Sequence, residues 1–179
     1  MGLDQYLFRT TKKRMAARDE YVSLSREYSE TVDSLLEEPK WKSVIDSLPK
    51  TAGGCLELGR MSPDQKKQWA KVRAACRMVA KKIGIAVGRG GTAPVFIPSA
   101  WGLTDEDKVE ELAYWRKNWE LHKYIIDNFW SDKEHDNLIE VFLTRKMLCK
   151  IVSDGYTEGF KQALDRWDEN CVVFYHPWY

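Results

Sequence analysis

Apolar residues recur at helical spacing along most of this chain. The first such stripe predicts an amphipathic helix over residues 13–37, because residues three and four positions apart share one face of a helix. Its members are Tyr21, Leu24, Tyr28, Val32 and Leu35. Pro39 ends this helix, and a shorter helix is predicted over residues 40–48.

A second stripe has a clear start signal. Ser62 is a preferred N-cap residue, Pro63 suits the first helical position, and Asp64 suits the first turn. The apolar positions that follow are Trp69, Val72, Cys76, Val79 and Ile83. This pattern predicts a helix over residues 63–83, and basic residues flank its apolar seam on both sides.

A third stripe predicts a helix over residues 105–130. Thr104 supplies the N-cap, and acidic residues fill the first turn, where they interact favourably with the positive end of the helix dipole. The stripe consists of Leu112, Trp115, Trp119, His122, Ile126 and Phe129. Two more helices are predicted, one over residues 134–153 with Arg145 near its buried face and one from Tyr156 to Trp167.

The segments at the two ends are rich in β-branched and aromatic residues instead. Residues 3–8 and 171–175 are each short enough to form a strand, and we expect these strands to pair. The sequence therefore predicts a mainly α protein. Its architecture would be a helical bundle of about five to six helices, with a small β element formed by the N- and C-terminal segments.

Residues 84–102 interrupt the helical pattern and contain several glycines and two prolines, which predicts a loop or hinge. These glycines lack the spacing of a phosphate-binding P-loop. We expect residues 1–179 to form one compact domain, either undivided or with two lobes joined by this loop. The lobes would be a helical insert at 12–84 and a helical framework at 103–179.

Charge is distributed unevenly, although the chain carries a formal net charge of only +1. Residues 60–89 contain nine basic residues against one acid, Asp64. Such a cluster can bind phosphates or an acidic protein face, and the alternative is a solvated surface without a partner. The predicted partner-binding residues are Lys66, Lys67, Lys71, Arg73, Arg77, Lys81, Lys82 and Arg89, with the loop residue Trp101 beside them.

His122 is the one imidazole in the third stripe. On a helix, Arg116 and Lys117 would project away from the face that contains Trp115 and His122. These four side chains could therefore not form one catalytic site from this helix alone. The favoured interpretation of His122 is a core histidine hydrogen-bonded to a neighbouring strand. The alternative is a pocket formed by Asp4, Trp115, Arg116 and His122. The sequence predicts no catalytic residue, no metal ion and no cofactor.

Other kinds of site are disfavoured. The adjacent metal-ligand types at Glu134, His135 and Asp136 would point in different directions on a helix and rarely bind one ion. The four cysteines show no CxxC spacing, which favours reduced thiols. No run of about 18 apolar residues is present, so we expect a cytoplasmic protein that does not enter a membrane.

Three short segments carry a resemblance to a known family. They are residues 1–7 (MGLDQYL), residues 114–118 (YWRKN) followed by His122, and the aromatic tail 175–179 (YHPWY). Together they resemble small uncharacterised proteins encoded by bacteriophages and prophages. Gln5 and Pro177 depart from the family pattern, and residues 12–104 have no counterpart in it. The resemblance implies a phage origin and a shared C-terminal framework, and it implies no reaction.

These observations together predict a non-enzymatic binding protein. With the phage origin that the resemblance implies, the lead hypothesis is an accessory factor that inhibits or redirects a host protein, such as a CRISPR-type defence effector. The near-neutral net charge disfavours mimicry of DNA by an acidic surface. The alternative is a nucleic-acid-binding protein that uses the basic helix 63–83. A second alternative is a small-ligand-binding protein or enzyme built around His122.

Overall fold

The computed structural model of the chain describes residues 2–89, 92–132, 136 and 138–178. These residues form six α-helices and four β-strands. In chain order the elements are β1 (Asp4–Thr11), α1 (Lys12–Leu36), α2 (Pro39–Asp46), α3 (Pro63–Ile83), β2 (Glu110–Arg116), α4 (Trp119–Phe129), β3 (Val141–Leu143), α5 (Arg145–Ser153), α6 (Phe160–Asp165) and β4 (Cys171–Trp178). Short 3-10 turns lie at Leu58–Arg60, Pro98–Trp101 and Asp105–Asp107.

The four strands form one antiparallel sheet in the order β2-β1-β4-β3. The predicted pairing of the N- and C-terminal segments is confirmed, because β1 pairs with β4 from Asp4↔Trp178 to Thr11↔Cys171. The predicted fold class is nevertheless wrong. Only about half of the chain is helical, and the protein is mixed α/β rather than a helical bundle.

The main reason for this error lies in residues 105–130, which do not form one helix. Residues 110–116 form β2, at the edge of the sheet beside β1. Lys117 then adopts a positive φ of 58°, which a helix cannot contain. Asn118 caps the N-terminus of α4, where its side-chain oxygen accepts a hydrogen bond from the Leu121 amide at 3.1 Å. The predicted stripe therefore divides between a strand and a separate helix.

The predicted helix 134–153 is also wrong in its described part. Residues 141–143 form β3, and α5 begins only at Arg145, after a capping box made by Thr144 and Met147. Arg145 is exposed in the first turn of α5 rather than half-buried. Residues 133–135 and 137 lie outside the described residues.

The chain divides into two compact units. Residues Arg18–Pro98 form one, and the residues before and after them form the other. In the sheet-containing unit, the core joins one face of the sheet to α4, α5 and α6. Its most buried members include Leu7, Tyr175, Leu121, Ile125, Leu148, Ile151 and Phe160.

The Arg18–Pro98 unit has its own core, formed by one face each of α1 and α3. Its buried members are Tyr28, Val32, Val72, Cys76, Ala80 and Ile85. The predicted helices 13–37, 40–48 and 63–83 are confirmed as α1, α2 and α3. The start signal of α3 also forms as expected, because Ser62 and Gln65 complete a capping box. Gly84, with a φ of 87°, ends the helix.

Gly159 packs against the sheet so closely that no other residue fits. Its φ is +71°, and a Cβ built there would lie 2.5 Å from the Cβ of Ala113 in β2. We therefore expect Gly159→Ala to lower the free energy of unfolding by about 2 kcal/mol or more, through backbone strain and overpacking. Urea denaturation measures this loss. Gly155→Ala is the control, because its φ of +102° is equally unfavourable but nothing lies within 4 Å of its Cβ. Equal losses in both variants would contradict the packing argument.

Asp107 links the turn Asp105–Asp107 to the start of α1. Its carboxylate accepts hydrogen bonds from the Thr104 amide at 3.0 Å and from the Thr11 hydroxyl at 2.7 Å, and the Lys13 ammonium lies 3.4 Å away. These contacts lower the pKa of Asp107 to about 2. The largest effect comes from the hydrogen bond of the Thr104 amide, followed by the hydrogen bond of the Thr11 hydroxyl and the positive charge of Lys13.

This pKa predicts an acid-dependent stability. Because the folded pKa lies below the unfolded value of about 3.9, Asp107 stabilises the fold above pH 4 and loses this contribution as the pH falls towards 2. We expect Asp107→Asn to show a smaller decrease in the free energy of unfolding between pH 5 and pH 2.5 than the unmodified chain. Urea titrations at several pH values test this. The exposed neighbour variant Asp105→Asn should retain the full decrease, and identical pH profiles for Asp107→Asn and the unmodified chain would refute the assignment.

Candidate functional site

The solvent side of α3 is a continuous basic face. Val72, Cys76 and Ala80 point into the core, and Met78 on the opposite side is 74% exposed. The basic side chains occupy the arc around Met78 and the two flanks of the buried seam. Those that are exposed are Lys66, Lys67, Lys71, Arg77, Lys81 and Lys82, while Arg73 is half-buried. The cations run from Lys66 to Lys82, and at a rise of about 1.5 Å per residue this basic face of α3 is about 24 Å long.

Few of these cations are neutralised by the chain itself. Lys67 lies 3.4 Å from Asp64, the one acid in the helix. Within the part of the chain that the structure describes, Lys66, Lys71, Lys81 and Lys82 form no ion pair. Unpaired like charges on one face create a positive potential that attracts an anionic partner.

Two loop residues were predicted to join this face. The structure places Arg89 beside α3, whereas Trp101 belongs to the sheet-containing unit. The guanidinium of Arg77 donates a hydrogen bond to the backbone carbonyl of Arg89 at 3.4 Å, so the exposed Arg89 lies beside α3. Gly90 and Gly91, which follow it, lie outside the described residues. Trp101 is half-buried at the end of the turn Pro98–Trp101 and belongs to the sheet-containing unit.

His122 lies in a buried chain of polar groups in the sheet-containing unit. It is 5% exposed, and its Nδ1 lies 3.1 Å from the Tyr175 hydroxyl on β4. The hydroxyl donates to Oε1 of Gln5 at 3.0 Å, and Nε2 of Gln5 donates to the Asn118 carbonyl at 3.1 Å. On its other side, Nε2 of His122 lies 3.2 Å from a carboxylate oxygen of Asp136. His122 is therefore a core residue hydrogen-bonded to a strand, as expected.

The Asn118 carbonyl determines the direction of these hydrogen bonds. A carbonyl only accepts, so it selects the Gln5 orientation with Nε2 towards it and Oε1 towards Tyr175. The single hydroxyl proton of Tyr175 then points to Gln5, and Nδ1 of His122 must donate to the hydroxyl oxygen. On the other side of the ring, Nε2 faces the Asp136 carboxylate. Burial, and then the charge of Asp136, raise the pKa of Tyr175 far above its usual value, so this residue remains a donor.

None of the depressions found in the described part of the chain is lined by all four residues predicted to share a pocket. His122 borders a depression of about 390 Å³ together with Trp119, Lys123 and Asp136. Trp115 lines a different depression of about 210 Å³, where its indole donates to Glu158 at 2.9 Å.

Asp4 and Arg116 lie together on the sheet and away from both depressions. The Asp4 carboxylate accepts a hydrogen bond from the Tyr114 hydroxyl at 2.7 Å and lies 4.0 Å from the Arg116 guanidinium. The fold therefore brings Asp4 and Arg116 together, and it places Trp115 and His122 at two different depressions. No group of three or more metal-ligand residues occurs among the described positions, and Glu134 and His135 lie outside them.

Sequence reasoning missed Gln5, Tyr175 and Asp136 as partners of His122. Gln5 and Tyr175 alternate with outward-facing neighbours on two paired strands, so period-two patterning could have placed both on the buried face. No comparable signal marks Asp136, because it follows β2 and α4 in a segment without a regular pattern.

No protein-family model, curated protein or solved structure matches this chain. The functional argument therefore depends on the residues themselves. None of the helices in the described part of the chain combines the length and the apolar character that a membrane span requires.

The hydrogen bonds of Tyr175 are open to a direct test. Tyr175→Phe removes the hydroxyl and leaves Gln5 and His122 buried without this partner, so we expect the free energy of unfolding to fall by about 1–3 kcal/mol. Tyr124→Phe is the matched control, because its hydroxyl bonds the exposed carboxylate of Asp154 at 2.7 Å. The control should lose about 1 kcal/mol or less. A Tyr175→Phe chain as stable as the control would show that the buried network contributes little.

Proposed function

We propose that this chain is a non-enzymatic binding protein and that the basic face of α3 is its contact surface. The observation that carries this proposal is the set of exposed lysines on α3 without ion pairs among the described residues. Like charges placed close together on one helix repel each other and destabilise it slightly. A partner with negative charge removes that repulsion when it binds.

The partner favoured by the family resemblance is a host protein. On this proposal the chain is a phage-encoded factor that acts in the host cytoplasm and inhibits a defence effector of the CRISPR type. The basic face of α3 would dock on an acidic patch of that effector or on nucleic acid that it holds. Inhibition needs no reaction at His122, whose two ring nitrogens are already engaged by Tyr175 and Asp136.

Direct binding of nucleic acid is the second candidate function. It is favoured by the length of the basic face, because a row of cations about 24 Å long can follow several successive phosphates. Arg77 and Arg89 would add guanidinium groups, which bind phosphate oxygens in a forked geometry.

One capture experiment tests the contact surface and separates the two partners. The tagged chain is incubated with host lysate, with and without nuclease, at low and high salt. We expect Lys71→Gln/Lys81→Gln to lower the affinity on the order of tenfold, because two exposed ion pairs are lost. For a nucleic-acid partner the slope of log affinity against log salt should also fall by about 2.

The control is Lys146→Gln/Lys161→Gln, which removes the same charge from exposed lysines of the sheet-containing unit. This variant should bind like the unmodified chain. A discrete host protein that survives nuclease treatment supports the inhibitor, and loss of all bound material after nuclease supports the second candidate. Equal weakening by both double variants would mean that net charge, rather than the basic face of α3, drives binding.

A further inference from the structure

A small depression lies where the end of β2, the start of α4 and the loop between α5 and α6 meet. Its volume is about 210 Å³, and its base consists of core residues: Trp115 is 8% exposed, and Leu121 and Phe160 are each 1% exposed. The rings of Trp115 and Phe160 stack with their centroids 5.3 Å apart. The base of the depression is therefore a fixed part of the core.

The loop that forms the rim is held at both ends. The Tyr156 amide donates to the Ile151 carbonyl at 3.2 Å, and the Thr157 carbonyl accepts from the Lys161 amide at 3.1 Å. Gly159, at the end of the loop, packs directly on β2. A ligand therefore meets a preformed site, and its binding costs less conformational entropy than binding to a mobile loop.

Glu158 is the charged group of this rim, and the core orients it. The buried indole of Trp115 can only donate, and it donates to Oε2 of Glu158 at 2.9 Å. Within the described part of the chain, the second oxygen, Oε1, accepts no hydrogen bond, and no cation pairs with the carboxylate. The fold thus fixes this carboxylate through one oxygen and leaves the other oxygen free.

Two further polar side chains line the depression. Asn118 uses its side-chain oxygen to cap α4, so its NH2 group is free to donate, and the Thr157 hydroxyl forms no hydrogen bond to another described residue. No lysine, arginine or histidine occurs among the described residues of the lining. The depression therefore combines a negative charge that no cation compensates with a hydroxyl acceptor and an amide donor, which suits a small organic cation.

The geometry of Glu158 selects among cations. A guanidinium group binds a carboxylate best through both oxygens, and the Trp115 indole already occupies one of them. An ammonium group is a compact donor that needs only one oxygen from each partner. The volume of about 210 Å³ also lies below the range of roughly 300–1,000 Å³ that is typical of pockets for larger ligands. A single ammonium group on a short alkyl chain therefore fits this site best.

We propose that this depression binds the primary ammonium group of a small alkylamine or of a lysine side chain. The ammonium donates to Oε1 of Glu158 and to the hydroxyl oxygen of Thr157, and the apolar base accommodates the alkyl chain. Charge-assisted hydrogen bonds of this kind are stronger than those between neutral groups. The site lies in the sheet-containing unit and uses none of the basic residues of α3, so it is independent of the proposed function.

The first test is an NMR titration of the isotope-labelled full-length chain with n-butylamine at neutral pH, where the amine is protonated. The indole N–H signal of Trp115 reports on the Glu158 carboxylate to which it is bonded. We expect a saturable shift of this signal with butylamine and none with n-butanol, a neutral analogue of the same chain length. The absence of a saturable shift with butylamine, or an equal shift with both compounds, would overturn the proposal.

Three variants separate this site from a general effect of charge. Glu158→Gln removes the charge and keeps an oxygen for the indole, so we expect the affinity for butylamine to fall at least about tenfold. Thr157→Val removes the hydroxyl and should weaken binding about fivefold. The matched control is Glu169→Gln, which removes the same charge from an exposed residue of the same unit and should bind like the unmodified chain. Circular dichroism confirms that each variant is folded, and a folded Glu158→Gln chain that binds as tightly as the control would refute the site.

Two blocked peptides distinguish the sources of the ammonium group. One contains a central lysine, and the other contains the same lysine acetylated on Nζ, which removes the charge. Binding of butylamine and of the lysine peptide, but not of the acetylated peptide, supports the site and assigns it to a lysine of a partner protein. Binding of butylamine alone supports the site and assigns it to a free amine. Equal binding of both peptides would show that the charge is not recognised and would contradict the proposal.

Discussion

The pairing of β1 with β4 is the interaction on which the sheet-containing unit depends. It joins the two ends of the chain over eight consecutive residue pairs, from Asp4↔Trp178 to Thr11↔Cys171. β1 and β4 are the two inner strands, so β2 has a neighbour only through β1, and β3 only through β4. Without this pairing the sheet separates into two hairpin-like fragments, and two-stranded fragments are at best marginally stable in water.

The same pairing brings the polar network into the core. Gln5 and Tyr175 come from the two paired strands, and neither side chain is accessible to solvent. Buried polar groups are tolerated when their hydrogen bonds are complete, and here each has partners: the Asn118 carbonyl orients Gln5, which orients Tyr175 towards His122. A shift of β1 by one residue would turn Gln5 outward and leave Tyr175 and His122 without it. The network thus favours one register of the two inner strands.

The sequence predicted elements well where the local signals were sufficient. Helix α3 has a capping box at Ser62, a regular seam and a glycine at its end, so its bounds followed from residues close to one another in the chain. Residues 110–116 gave the opposite result. Leu112, Trp115 and Trp119 have helical spacing, but pairing of β2 with β1 at Tyr6↔Tyr114 outweighs it. That pairing partner lies more than 100 residues away in the chain, and tertiary contacts of this kind override local preference.

The same contrast between local and long-range signals applies to the candidate site. The basic face of α3 could be predicted because one helix contains nearly all of its cations, whereas the network around His122 is assembled from β1, β4, α4 and Asp136 and has no signature in any single segment.

The two units also differ in their charge balance. The Arg18–Pro98 unit contains 14 basic and 10 acidic residues, and the rest of the chain contains 14 basic and 17 acidic residues. The positive charge of the Arg18–Pro98 unit is therefore concentrated on α3, which has seven basic residues and one acid, Asp64. An anionic partner would meet this concentration of charge only on that helix, so the contact surface that we propose is set by one element rather than by the net charge of the chain.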